Sequence, residues 1–156
     1  MVSAQKHFRS FSKMQGLSDN SVCCVQQDSH GFLWLGTFDG LCRFDGTTFE
    51  TFKNSASDKY SLADDVVRDI LPVDSGLWVA TDMGIDFYSF NDGRFHHSKG
   101  SEKGKATGLS VRFNKFVKTP ERLFAVDIRG QIWEHQQNYL YTKVNQHNER
   151  FDALTT

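Results

Sequence analysis

The side chains able to do chemistry are spread along this chain, and their spacing speaks for turns more than for catalysis. Asp28, Asp39, Asp45, Asp82 and Asp92 stand in glycine-bearing turns, where a short carboxylate caps free backbone N–H groups. Hydrolysis of a glycosidic bond needs two carboxyls flanking that bond, and no spacing singles out such a pair. The histidines, His7, His30, His96, His97, His135 and His147, are scattered. Adjacent His96 and His97 on a strand point to opposite faces and make no metal pair. No His, Cys and Asp spacing fits a zinc site. No Gly-x-Ser-x-Gly elbow and no phosphate-binding glycine loop occurs. The expectation is a chain without catalytic residues, metal or cofactor.

Cys23, Cys24 and Cys42 make an odd count. Neighbours on a strand face opposite ways, so Cys23 and Cys24 cannot hold one metal between them. A bridge from Cys42 to one of them stays open beside the alternative of three small hydrophobes.

What remains is recognition. Asp39, Asp82 and Arg129 fall in equivalent turns, with Arg43 just after its own turn. Arg and Asp suit directional bonds to hydroxyls and carboxylates. These four are the candidate ligand-binding residues, and solvated turn charges are the alternative reading of each.

The elements that would position them form a repeat. Gly31 to Leu41 reads GFLWLGTFDGL, Gly76 to Ile85 reads GLWVATDMGI, and Arg122 to Gln131 reads RLFAVDIRGQ. Superposing them puts Trp34, Trp78 and Phe124 in register, and likewise Gly40, Gly84 and Gly130, at steps of 44 and 46 residues. A period of roughly 40–50 residues with a Trp-centred strand is that of a propeller blade. Each unit reads as four antiparallel strands joined by hairpins. Leu33 to Thr37 is a short apolar run suited to a strand buried on both faces, with Trp filling the gap between stacked sheets. Asp39-Gly40 and Asp45-Gly46 are turn dipeptides.

The fold class is therefore all-β, a β-propeller fragment of about three four-stranded antiparallel blades. Residues 16–52 form blade 1, 60–97 blade 2 and 106–144 blade 3. Residues 7–11, with a phenylalanine spacing like that of Phe49 and Phe52, are read as the outer strand of a split blade. Residues 145–156 are read as a connector to a missing blade. Asn54 to Asp64 and Ser98 to Thr107, rich in Ser, Lys, Gly and Asp, read as surface loops. Hairpins alternate ends, so the turns between second and third strands share one rim with the inter-blade connectors. Asn20 and Asp65 also fall there.

The 156 residues carry 38% hydrophobic and 13% aromatic side chains, enough for a core. The net charge of −1, with signs interspersed, gives no basic patch for nucleic acid. No apolar run of about 18 residues spans a membrane. Three blades do not close a ring, since propellers use about four to eight. Terminal blades expose apolar faces, so the expected partners are missing blades of the same protein, a homo-oligomer or a blade-swapped assembly.

Gly16-Leu17-Ser18-Asp19-Asn20-Ser21-Val22, Asp28 to Thr37 and Asp39 to Gly46 together resemble the two-component regulator propeller repeat. Its typical elements are a "GLS-N-V" start, "D-GFLWIGT" and "DGLNRYDG". The resemblance covers residues 16–52 closely and 60–97 well, and reaches 106–144 through spacing, because the third copy lacks the Trp and the Gly-Thr pair. It implies the N-terminal periplasmic sensor region of a hybrid histidine kinase, anchored in the inner membrane, whose full-length form is the enzyme. It also implies oligosaccharide ligands released from glycans and control of polysaccharide use. The alternatives are a scaffold propeller that holds a protein partner without a small ligand, and an enzyme fragment.

Overall fold

The computed structural model describes residues 9–102 and 105–144. Strands β1 (Val22–Gln27), β2 (Leu33–Thr37), β3 (Gly40–Phe44) and β4 (Phe49–Phe52) form the first sheet in that order. Strands β5 (Val67–Val73), β6 (Gly76–Thr81), β7 (Gly84–Ser89) and β8 (Arg94–His97) form the second. A hairpin follows, β9 (Lys99–Glu102) and β10 (Lys105–Gly108). Strands β11 (Phe113–Lys118), β12 (Leu123–Asp127), β13 (Ile132–His135) and β14 (Leu140–Lys143) complete the third sheet. The first strands β1, β5 and β11 pack side by side, so the sheets stand as successive blades around one axis. The architecture is all-β; the described helix is one 3-10 turn, Lys13–Gln15, capped by Ser12 and Gln15.

The first hairpins of the three blades share one register, while the second hairpin of blade 3 is one residue longer, with Phe124 opposite Glu134 where Trp34 faces Arg43 and Trp78 faces Phe87. Trp34 pairs with Gln26, Trp78 with Leu71 and Phe124 with Val117, each three residues before the strand-ending Thr37, Thr81 or Asp127. All three first strands carry a bulge at the same place, between Val22 and Cys24, Val67 and Asp69, and Phe113 and Lys115. A bulge adds twist and re-aims the side chain, which lifts Arg68 toward the rim.

The tryptophans fill the gaps between blades. Trp34 has no exposure and packs on Tyr88, 5.4 Å between ring centroids, and on Phe90 of blade 2. Trp78 meets Tyr141 of blade 3 at 5.6 Å. Leu17, Leu62 and Leu109 are buried at the head of each unit. Among the described residues no blade covers Phe124, which is half-buried. On its face Val117 is 46% and Ile132 40% exposed. Asp69 of β5 ties the inner strands together by accepting the Phe116 N–H at 2.8 Å.

Several expectations change. Ser98 to Thr107 is largely a hairpin: β9 pairs β10 and lies parallel beside β14, giving the third sheet the order β10-β9-β14-β13-β12-β11. Pairing with an open sheet edge outweighs the weak strand propensity of Ser, Lys and Gly. A Cβ on Gly100 would lie 2.6 Å from Leu109 Cδ1, so the glycine lets β9 lie close over that buried leucine. The first strand of blade 3 begins only at Phe113, because Leu109 is drawn into the core between blades. Arg9 to Phe11 form no strand. Phe11 docks by its ring on Phe44 and Phe49, at 4.8 and 5.5 Å. His7 and Phe8, and residues 145–156, lie outside the described residues. The cysteines are free: Cys23 is exposed, while Cys42 is buried against Ser18. Burial pushes the Cys24 thiol up to about 12, which keeps it protonated and unreactive.

Candidate functional site: the connector-side rim

Blades 1 and 2 present a two-residue turn between their second and third strands, and blade 3 a four-residue one, from Ile128 to Gln131. Thr37 Oγ1 accepts the Asp39 N–H at 3.0 Å and donates to the Gly40 carbonyl at 2.8 Å. Thr81 does the same for Met83 and Gly84, at 3.2 and 3.1 Å. Asp127 replaces the threonine in blade 3, where its carboxylate accepts the Arg129 and Gln131 N–H groups, both at 2.9 Å. The lost Gly-Thr pair of the third copy is thus a change of capping group. Gly40, Gly84 and Gly130 all take positive φ to close these turns.

The turns carry Phe38-Asp39, Asp82-Met83 and Ile128-Arg129: one apolar and one charged residue each. Phe38, Met83 and Ile128 are 49%, 51% and 51% exposed. Asp39 pairs with Lys53 at 2.6 Å and reaches Lys13 at 4.0 Å. Asp82 is gripped by Arg68 at 2.7 and 3.0 Å and by Arg112 at 2.9 Å. The Arg68 hydrogen bond, with both positive charges beside it, holds the Asp82 carboxyl below the usual carboxylate range. Arg68 also covers the Phe38 ring at 5.1 Å, so it bridges the turns of blades 1 and 2. The Arg129 side chain is exposed.

Asp39, Asp82 and Arg129 therefore occupy one rim. Arg43 does not join them. Strand β3 carries it away from the Gly40 turn, about 3.3 Å per residue. Its guanidinium pairs with Glu50 and covers Phe32 at 4.8 Å and Trp34 at 5.7 Å. It borders a 200 Å³ hollow with Asp28, His30 and Phe90 at the opposite end of the blades.

Two features escaped the sequence reading. One is a buried buckle. Asp28 accepts the His30 and Phe32 N–H groups and the Trp34 indole N–H; Asp127 does the same for Arg129, Gln131 and Trp133. The identical six-residue Asp-to-Trp spacing was the available signal. The other is Asp86, fully buried, with His97 Nδ1 2.7 Å from its Oδ1. Comparing the three copies would have flagged it, because Cys42 and Trp133 take its place in the other blades. Among the described residues no group of three His, Cys, Asp or Glu side chains is placed to hold a metal.

Comparison with known proteins meets this geometry. Residues 16–39 match the two component regulator propeller family. The match lies within the first blade, over β1 and β2. A 56-residue stretch is 46% identical to Histidine kinase P4 of Formosa agariphila, covering 36% of this chain and 4% of that protein. The extracellular domain of BT3049 from B. thetaiotaomicron, assigned as a hybrid two component system, superposes with a TM-score of 0.65. It is 25% identical over 80% of this chain and 19% of its own. The extracellular domain of BT4673 from the same organism, assigned as a one component system, gives a TM-score of 0.66 at 21% identity. That match covers 86% of this chain and 20% of that one. The propeller repeats here thus span about a fifth of the solved relatives they resemble. No described helix is long and apolar enough to cross a membrane.

Proposed function

We propose that this chain is part of the ligand-sensing propeller of a hybrid two-component sensor, lying outside the cytoplasm and reading oligosaccharides derived from glycans. One observation carries the reading: three successive blades offer, at the same turn, one half-exposed apolar side chain beside one charged side chain. Sugar rings pair an apolar face with a belt of hydroxyls, and such a surface meets both. Phe38, Met83 and Ile128 supply the apolar contacts, and Asp39, Asp82 and Arg129 the directional ones. The family match and the extracellular relatives support the setting. The kinase activity belongs, in this reading, to the rest of a longer protein.

The half-buried Phe124 face supports a further point. Trp34 and Trp78 are each covered by the next blade, so the Phe124 face is completed by more blades of the same protein or by a second copy. The test is thermal melting with a panel of neutral and acidic oligosaccharides. A ligand that binds only the folded state raises the melting temperature. A rise with at least one sugar, lost in Asp39→Ala or Arg129→Ala, is the expected result. No rise with any sugar in the complete sensor favours the scaffold reading, in which the rim holds a protein.

A further inference from the structure

A hollow of about 760 Å³ opens beside the rim and is built from residues other than the turn charges. It lies between the connector from Asn54 to Ser61, the Met83-Gly84 turn and the strand end at His97 and Ser98, with Gly108 to Ser110 opposite. Its volume is in the range of small-molecule sites, roughly 300–1,000 Å³.

Asp86 is one wall. Its Oδ2 accepts the Ala63 N–H at 2.7 Å, and its Oδ1 takes His97 Nδ1. His97 is also hydrogen-bonded to the Lys59 backbone. The buried carboxylate is therefore balanced within the wall, and the hollow offers a ligand no uncompensated buried charge. Ser98 is different. It is 5% exposed and lines the same hollow, yet its Oγ has no hydrogen-bond partner among the described residues. A buried hydroxyl without a partner is unfavourable, and a ligand hydroxyl bonding to it would offset that cost. Met83 and Leu109 supply apolar lining, and Ser57 and Ser110 add hydroxyls. The repeat does not demand this arrangement, since Cys42 and Trp133 stand where Asp86 does in the other blades.

We infer that this hollow binds one ring of a neutral, polyhydroxylated ligand, with Ser98 Oγ bonding a ring hydroxyl and Met83 joining the hollow to the rim. The inference rests on the oligosaccharide-sensing reading above and adds where a single ring sits.

The experiment is a ¹⁵N NMR titration of the chain with glucose, galactose, xylose, arabinose, their disaccharides and glucuronate, repeated with Ser98→Ala. At least one neutral sugar is expected to shift the amides of Met83, Ser98 and Ser110. Ser98→Ala is expected to weaken that binding about threefold to tenfold, the worth of one neutral hydrogen bond. Its melting temperature stays unchanged or rises, because no protein bond is lost. Sugars that shift only the amides around Asp39 and Arg129 overturn the hollow and leave the sensing reading standing. No shift from any of these sugars overturns the hollow, while the oligosaccharide melting test on the complete sensor decides the sensing reading. Unchanged affinity in Ser98→Ala, or glucuronate binding as tightly as the neutral sugars, overturns the assignment of Ser98 or of the neutral class.

Discussion

Asp28 accepts the indole N–H of Trp34 at 2.7 Å, inside a core where that ring has no exposure. The same carboxylate holds the turn before β2 through two backbone N–H groups. Turn and inter-blade core are therefore fixed by one residue. Asp28→Ala leaves three donors without their acceptor, the indole among them buried, and is expected to destabilise by about 3 kcal/mol. Chemical denaturation of the variant measures this, with Asp127→Ala as the matching test in blade 3.

Gly84 separates backbone conformation from space. It sits at φ +141°, and a Cβ there would lie 2.4 Å from the Leu109 carbonyl oxygen. Gly46 also takes positive φ, +98°, but a Cβ there meets nothing within 4 Å. Gly46→Ala is expected to cost about 1 kcal/mol of conformational strain. Gly84→Ala should cost roughly 1–3 kcal/mol more, because the 108–110 segment has to move. Melting of the two variants side by side reads the difference.

Much of this was legible in the chain itself. Trp34, Trp78 and Phe124 are in register because a sheet gap between blades demands a large ring at that strand position, and glycine marks each turn. The β9–β10 hairpin was not legible, because its residues favour loops and its pairing comes from the β14 edge, far along the chain. Arg43 was misplaced because the direction of a long side chain is set by what it covers, here Phe32 and Trp34. Asp86 and His97 are eleven residues apart on neighbouring strands, and only the ladder brings them together.

That pair makes stability depend on pH. Asp86 holds the His97 imidazolium, so the histidine titrates above its ordinary value, while burial pushes the Asp86 carboxyl up. Both shifts mean that the folded state binds protons more tightly than the unfolded state. The His97 contribution is fully present below about pH 6.5, the unfolded value, and is lost as pH rises through the raised folded value. The Asp86 shift acts in the same direction at lower pH. Denaturation midpoints should therefore fall from mildly acidic to mildly alkaline pH, and His97→Gln should flatten that fall.

The aromatic positions should differ by location. Trp78 is 6% exposed between two blades, and Trp78→Ala is expected to cost about 3–5 kcal/mol. Phe124 occupies the equivalent place on an open face, so Phe124→Ala should cost about half as much in the chain alone. Phe124→Glu should reduce any concentration-dependent association seen by light scattering.

The central claim is that sugars are read on the rim formed by the equivalent turns of successive blades. A crystal structure of the protein with an oligosaccharide that raises its melting temperature tests this most directly. The account predicts rings resting on Phe38, Met83 or Ile128, with hydroxyls bonded to Asp39, Asp82 or Arg129. A sugar seated at the opposite end, beside Arg43 and Asp28, or on the open Phe124 face, would contradict it.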